Sequence, residues 1–266
     1  MRVMVRRIAR TVVPASARSL LKSKARQFTA YLAPLDRVII ANKYLRGRGI
    51  EIGALHLPLQ TPMSAKVSYV DRMSVDQLRE HYPELAGEKL VHVDIIDDGE
   101  QLATIRDASQ DFVIANHFLE HCQNPVLALT NMIRVLKPGK VLYLAVPDKR
   151  YTFDVERPVT PIEHVLRDFE DGPAWSKRQH FEEWVRYVLK VEDAAEAEKR
   201  VSALLEEDYS IHYHVWTQFE LLELVQTLRS KQGLSFDIEL FLKNAGECIF
   251  VLRKTGDEHS QPRGRP

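Results

Sequence analysis

The sequence predicts an α/β fold: a mostly parallel sheet with helices on both faces, an insertion after the fifth strand, and a C-terminal antiparallel hairpin. Three observations carry this expectation. Short apolar runs alternate with stretches of helical spacing as far as Pro147. The rhythm stops over 148–214, where the chain turns polar, charged and aromatic. It resumes with one helical stretch and two apolar runs joined by Asn244-Ala245-Gly246. Short apolar strands separated by helices imply a parallel sheet buried on both faces. A three-residue link containing Asn and Gly implies a hairpin.

The expected strands are 49–53, "KVSYV" at 66–70, "KLVHVDI" at 89–95, "DFVIAN" at 111–116 and "KVLYLAV" at 140–146. Helical spacing falls on 74–85, 100–105 and 124–136. The last of these helices is expected to end at "KPGK". There Lys137 complements the negative helix end, Pro138 stops the helix, and Gly139 turns the chain into the next strand. Within the insertion, 192–208 reads as a solvent-facing helix. Thr217 and Glu220 then have capping-box spacing and open a helix that Gly233 ends. The hairpin strands are 235–243 and 247–254. The expected organisation is a basic, helical extension over 1–45, a domain over 46–254 with its insertion at 148–214, and a disordered tail over 255–266.

Composition narrows the function classes. The chain has 266 residues, 45% of them hydrophobic, and a formal net charge of zero, which gives no support for bulk nucleic-acid binding. The charge is uneven: residues 1–35 hold eight Lys and Arg and no Asp or Glu, so the remainder carries eight negative charges in excess. That basic start lacks a secretory apolar core. Three readings stay open for it: a solvated helical extension, an organelle transit segment, or a helix lying on an anionic membrane. Nothing approaches the roughly 18–20 apolar residues needed to cross a bilayer. Cys122 and Cys248 are too few for a disulfide framework and lack C-x-x-C spacing. A reducing compartment is therefore expected, which suits a cytoplasmic protein, peripheral to a membrane if the basic start binds one.

In an open parallel sheet, ligands sit beyond the carboxyl ends of the strands. Those ends supply Glu51 and Gly53, then Asp71, then Asp97, Asp98 and Gly99, then Asn116 and His117, and finally Asp148. Asp71 falls 18 residues after Gly53, a spacing that suits a carboxylate accepting from two ribose hydroxyls. An aspartate that merely ends a strand is the alternative.

These residues, and above all the stretch "IDDGEQLATIRDASQDFVIANHFLEHCQNPVLALTNMIRVLKPGKVLYLAVPD" at 96–148, resemble a class I S-adenosylmethionine-dependent methyltransferase of the small-molecule type. The likeness extends over about 48–148 and 215–254 and implies a Rossmann-like sheet. It implies that Glu51, Gly53 and neighbouring Ala54 surround the methionine part of the cofactor and that Asp71 holds the ribose. Asp98 and Gly99 would meet the adenine, and Asn116 and His117 would pass under the sulfonium. The stretch "AVPDKRYTFDVERPVTPIEH" is similar to bacterial methyltransferase-like proteins associated with glycosyltransferases and surface polysaccharides. An acceptor that is a small molecule or glycan, methylated on oxygen, follows as the expectation.

Methyl transfer from a sulfonium asks mainly for alignment and exclusion of water, and a hydroxyl acceptor gains from a general base. His117, Asp148 and Tyr151 rank first as catalytic candidates because the fold sets them near the cofactor's reactive end. His121, His180, His212 and His214 are further imidazoles, each with a plain structural alternative. His212-x-His214 resembles a metal-ligand pair, but no acid or cysteine accompanies it at ligand spacing, so no metal is expected. The aromatic residues gathered around the insertion suit either a small core or a lid.

Two other readings compete with the methyltransferase. A nicotinamide-dependent dehydrogenase needs G-x-G-x-x-G directly after the first strand, where only Gly53 stands, and Gly47-x-Gly49 is expected to precede that strand. A binding or scaffold protein that keeps the fold without turnover is the other.

Overall fold

A computed structural model of the chain describes residues 36–85 and 87–256. The basic segment at 1–35 and the expected disordered tail from 257 onward lie outside them. The chain divides into two compact units at Asp36/Arg37, and the second contains all the elements described below.

The second unit is built on one seven-stranded sheet in the order β3-β2-β1-β4-β5-β7-β6. Helix α1 (Arg37–Tyr44) leads into β1 (Gly47–Ile52) and β2 (Ala65–Asp71), followed by α2 (Val75–His81). Next come β3 (Ile95–Ile96), β4 (Gln110–Asn116), α3 (Pro125–Val135) and β5 (Leu136–Pro147). The insertion contributes α4 (Ile162–Asp171), α5 (Lys177–Glu183) and α6 (Ala194–Glu206). Helix α7 (Gln218–Ser230) and the hairpin β6 (Phe236–Asn244) and β7 (Glu247–Lys254) complete the fold. Strands β1 to β5 pair in parallel, and β7 runs antiparallel to both β5 and β6. This is the expected Rossmann-like sheet with its closing hairpin.

Strand alternation divides the core into two layers. Phe112 and Ile114 of β4, Val141 and Tyr143 of β5, and Ile249 and Val251 of β7 pack on one face with Ile40 and Ala41 of α1. The intervening Val113, Ala115, Leu142, Leu144, Phe250 and Leu252 pack on the other with α3 and α7. A period of two with both faces buried is why these strands read as continuous apolar runs. The insertion has its own small core of Phe181, Trp184, Val185, Val201, Leu204, Ile211 and Tyr213.

Four local expectations need correction. The run 89–95 reaches the sheet only at its last residue, in the two-residue β3, because the Asp94 side chain, not a main-chain carbonyl, accepts the Tyr69 N–H at 2.8 Å and interrupts the ladder. Residues 100–105 form turns and no helix. The Asp97 carboxylate takes the N–H groups of Ala103 and Thr104, donors that a helix would have used. Helix α3 ends at Val135, and "KPGK" lies inside β5 with Gly139 at φ +77°. Gly47 and Gly49 lie within β1 instead of preceding it.

Candidate active site

A cavity of about 810 Å³ lies beyond the carboxyl ends of the parallel strands. Gly53 from β1, Asp71 from β2, Asp98 and Gly99 from the loop after β3, and His117 after β4 all line it. Five of the residues singled out from the sequence thus meet around one space. Each is there because the ends of neighbouring parallel strands lie side by side.

Gly53 turns the chain at φ +64°, a conformation costly for any residue with a β-carbon. Its N–H donates to Val70 O at 3.0 Å, fixing the turn on β2. A β-carbon at Gly53 would meet only Phe118, at 3.4 Å, so the space above it is open. Gly99 has the opposite role. A β-carbon there would collide with Phe118 at 2.5 Å and Ile52 at 2.6 Å, so only glycine lets this loop close on β1. Asp71 is partly buried, and its carboxyl lies above its ordinary range because burial outweighs hydrogen bonds from the Arg72 and Met73 backbone.

Glu51, Ala54 and Asn116 do not line the cavity; they stand beside the strand ends that do. Glu51 is 1% exposed and accepts the Leu59 N–H at 2.9 Å through Oε1, with the Asn116 side chain beside its carboxylate. Burial pushes the Glu51 carboxyl up to about 7. Ala54 closes a turn by accepting from the Leu57 N–H.

His117 also stands in the left-handed region, at φ +49°. Its Nε2 lies 2.9 Å from Glu247, a carboxylate that Arg37 grips in turn, and its Nδ1 lies 3.6 Å from Glu120. Burial alone would raise the Glu247 carboxyl, but the bonds from Arg37 and His117 pull it down to about 2.

The other two catalytic candidates are elsewhere. Asp148 is fully buried, caps the turn at 149–151 and accepts two bonds from the Arg150 guanidinium. Tyr151 is 58% exposed and its hydroxyl meets Lys243 at 2.8 Å. Neither lines the cavity.

The insertion supplies the opposite wall. Phe153, Trp184, Tyr209, Tyr213 and His212 face the cavity, together with Leu55 and His56 from the first loop. His212 Nδ1 lies 2.7 Å from Asp154, which Arg157 also holds at 3.1 Å. Burial acts to raise the Asp154 carboxyl, but His212 and Arg157 hold it below its ordinary range. Beside it stand His121, whose Nδ1 is 2.9 Å from Ile211 O, and buried Glu120, whose two oxygens accept no hydrogen bond. Burial drives the His121 pKa down to about 3 and the Glu120 carboxyl up. One salt bridge, Arg72 to Asp208 at 3.0 Å, ties the β2 end to the insertion.

Part of the chain is similar to a known family. Residues 49–144 match the family model described as a methyltransferase domain, 96 of the 266 residues. No curated protein matches the chain. Among solved structures, a SAM-dependent methyltransferase from Methanosarcina mazei is 18% identical, with 83% of this chain and 99% of that one covered at a TM-score of 0.45. One from Aquifex aeolicus is 14% identical over 80% and 85% of the two chains, at 0.42. The CurJ carbon methyltransferase is 14% identical at 0.43, with 80% of this chain covered, and this chain spans about half of it, 49%. Over residues 49–144, the stretch that runs from β1 into β5, the chain is similar to a methyltransferase domain.

The residues present fit S-adenosylmethionine. The open space above Gly53 admits close approach of a ligand. The Asp71 carboxylate at the end of β2 suits a diol. None of these features demands a phosphate.

Proposed function

We propose that the protein transfers a methyl group from S-adenosylmethionine to a hydroxyl oxygen of a small molecule or glycan. When bound, the cofactor supplies an electrophilic methyl on a sulfonium. The observation that carries this reading is the convergence of Gly53, Asp71, Asp98, Gly99 and His117 on one cavity facing an aromatic wall. Gly53 and Asp71 hold the cofactor's amino-acid and ribose parts, and Asp98 with Gly99 bounds the adenine side.

The acceptor lies against the insertion. Phe153, Trp184, Tyr209 and Tyr213 give it flat apolar faces of the kind that pack against sugar or aromatic rings. Asp154 fixes His212 through Nδ1, which leaves the other ring nitrogen to take the acceptor's hydroxyl proton, the arrangement a general base requires. His212 replaces Asp148 and Tyr151 in this role. His117 remains at the reacting end as a positioning group, because both its nitrogens already face carboxylates.

The test is incorporation of labelled methyl from S-adenosylmethionine into a panel of hydroxylated small molecules and glycans. Ether formation is expected, and His212→Gln should lower kcat by about 10²-fold or more while leaving cofactor affinity within a few-fold. Methyl found only on nitrogen or carbon would overturn the oxygen assignment. An unchanged kcat would remove His212 from the reaction.

A further inference from the structure

Behind the aromatic wall, three separate segments of the insertion bring four metal-ligating side chains to one point. Helix α4 carries His164 and Asp168 one turn apart, α5 carries His180, and the extended chain before α7 carries His214. His164 Nε2 lies 3.1 Å from His180 Nε2 and 3.3 Å from Asp168 Oδ2, and His214 Nε2 lies 3.5 Å from the same oxygen. One donor atom from each of the four residues falls within 4.8 Å of every other.

Those separations have a simple geometric meaning. An ion held tetrahedrally by N and O donors at about 2.0–2.1 Å sets its ligands about 3.3–3.4 Å apart. The three measured edges bracket that length.

Hydrogen bonding explains part of the cluster, since His164 Nε2 meets His180 Nε2 and His214 Nε2 lies 3.4 Å from Gln123 O, but it leaves other atoms unpartnered. Asp168 is fully buried, yet Oδ2 accepts no hydrogen bond, and the Nδ1 atoms of buried His180 and His214 have no partner either. Among the described residues no Lys or Arg pairs with Asp168, so the carboxylate lacks a fixed positive charge at close range. An isolated buried charge is costly, and a cation at the centre would balance it. The remaining oxygen is already oriented: Asp168 Oδ1 accepts from the Ser176 hydroxyl at 2.8 Å. Ring packing orients the imidazoles, with His214 stacked on Trp216 at 5.5 Å and His164 against Trp175 at 4.7 Å.

We propose that His164, Asp168, His180 and His214 form a closed binding site for a borderline divalent cation of the Zn²⁺ type. Three imidazoles and one carboxylate favour such an ion over Mg²⁺ or Ca²⁺, which take mainly oxygen donors. Four protein ligands leave no open position, so the site is structural. It ties α4 and α5 to the segment that carries His212 and Tyr213 and thereby fixes the wall facing the acceptor. The sequence signal was half present in His212-x-His214. The fold separates that pair, sending His212 to the cavity and His214 to this cluster, and recruits partners from 34 to 50 residues upstream.

The experiment measures bound metal in the full-length protein, purified without a polyhistidine tag and equilibrated with ZnCl₂ before gel filtration. About one Zn²⁺ per chain is expected. His180→Gln and Asp168→Asn should each lower occupancy about tenfold or more, whereas His121→Gln, in the cavity, should leave it unchanged. A chelator should lower the wild-type Tm, ZnCl₂ should restore it, and the apo protein loaded with Co²⁺ should give the intense visible bands of a tetrahedral ion. The Co²⁺ spectrum needs no variant, so it decides the geometry even if the substituted chains fail to fold. Wild-type protein that retains no Zn²⁺ and shows no chelator effect overturns the proposal, as does metal that is lost with His121→Gln and kept in His180→Gln.

Discussion

Glu51 shows how one buried carboxyl at a strand end couples stability to pH. Burial lifts its pKa from the ordinary 4.5 to about 7, so the folded protein binds a proton that the unfolded chain releases. The resulting stability is complete below about pH 4.5 and is lost as pH rises through 7. The full effect is on the order of 3 kcal/mol. Glu51→Gln keeps an acceptor for the Leu59 N–H and removes the titration. The variant should therefore lose less stability than wild type between about pH 5 and 8 in denaturant unfolding. Parallel declines would show that Glu51 titrates normally. At this scale the sequence was informative about place: a residue at the end of an apolar run is at the carboxyl end of a strand, beside the cavity. It was uninformative about side-chain partners. Asp148 and Tyr151 also follow a strand, but Arg150 and Lys243 draw them away from the cavity.

The elements were legible wherever their cause is local. Thr217 and Glu220 do form a capping box, with the Glu220 carboxylate 2.8 Å from the Thr217 N–H. Thr217→Ala should destabilise the protein by about 1 kcal/mol without changing cofactor binding. A Tm equal to wild type would mean that α7 is held by packing alone, through Leu221, Leu224, Val225 and Leu228. The apolar runs that became β4, β5 and β7 are read just as directly, since both faces are buried. Two of the misreadings fall where a side chain competes with the main chain. Asp94 substitutes for a carbonyl beside β2, and Asp97 takes donors that a helix over 100–105 would need. Apolar periodicity carries no trace of that competition.

At the scale of the whole domain, the sheet positions a cavity and the insertion closes it. The parallel sheet was implied by the alternation of strands and helices, and the strand ends followed from it. The insertion was not legible in the same way. Its site residues meet through contacts across 46 to 58 residues of chain, such as His212 with Asp154 and His214 with Asp168 and His164. No spacing rule connects such positions. The aromatic residues there were ambiguous between core and lid, and they turn out to serve as both: Trp184 and Tyr213 belong to the insertion's own core and also line the cavity.

The central claim is that this cavity binds S-adenosylmethionine through the ends of β1 and β2. Calorimetry with S-adenosylhomocysteine on the full-length protein tests it most directly, because no acceptor need be known. The account predicts saturable binding near one ligand per chain, weakened about tenfold or more by Asp71→Ala, since a buried diol–carboxylate contact is worth about 1.5–3 kcal/mol. Absence of binding by the folded wild-type protein, or an affinity that Asp71→Ala leaves unchanged, would contradict it.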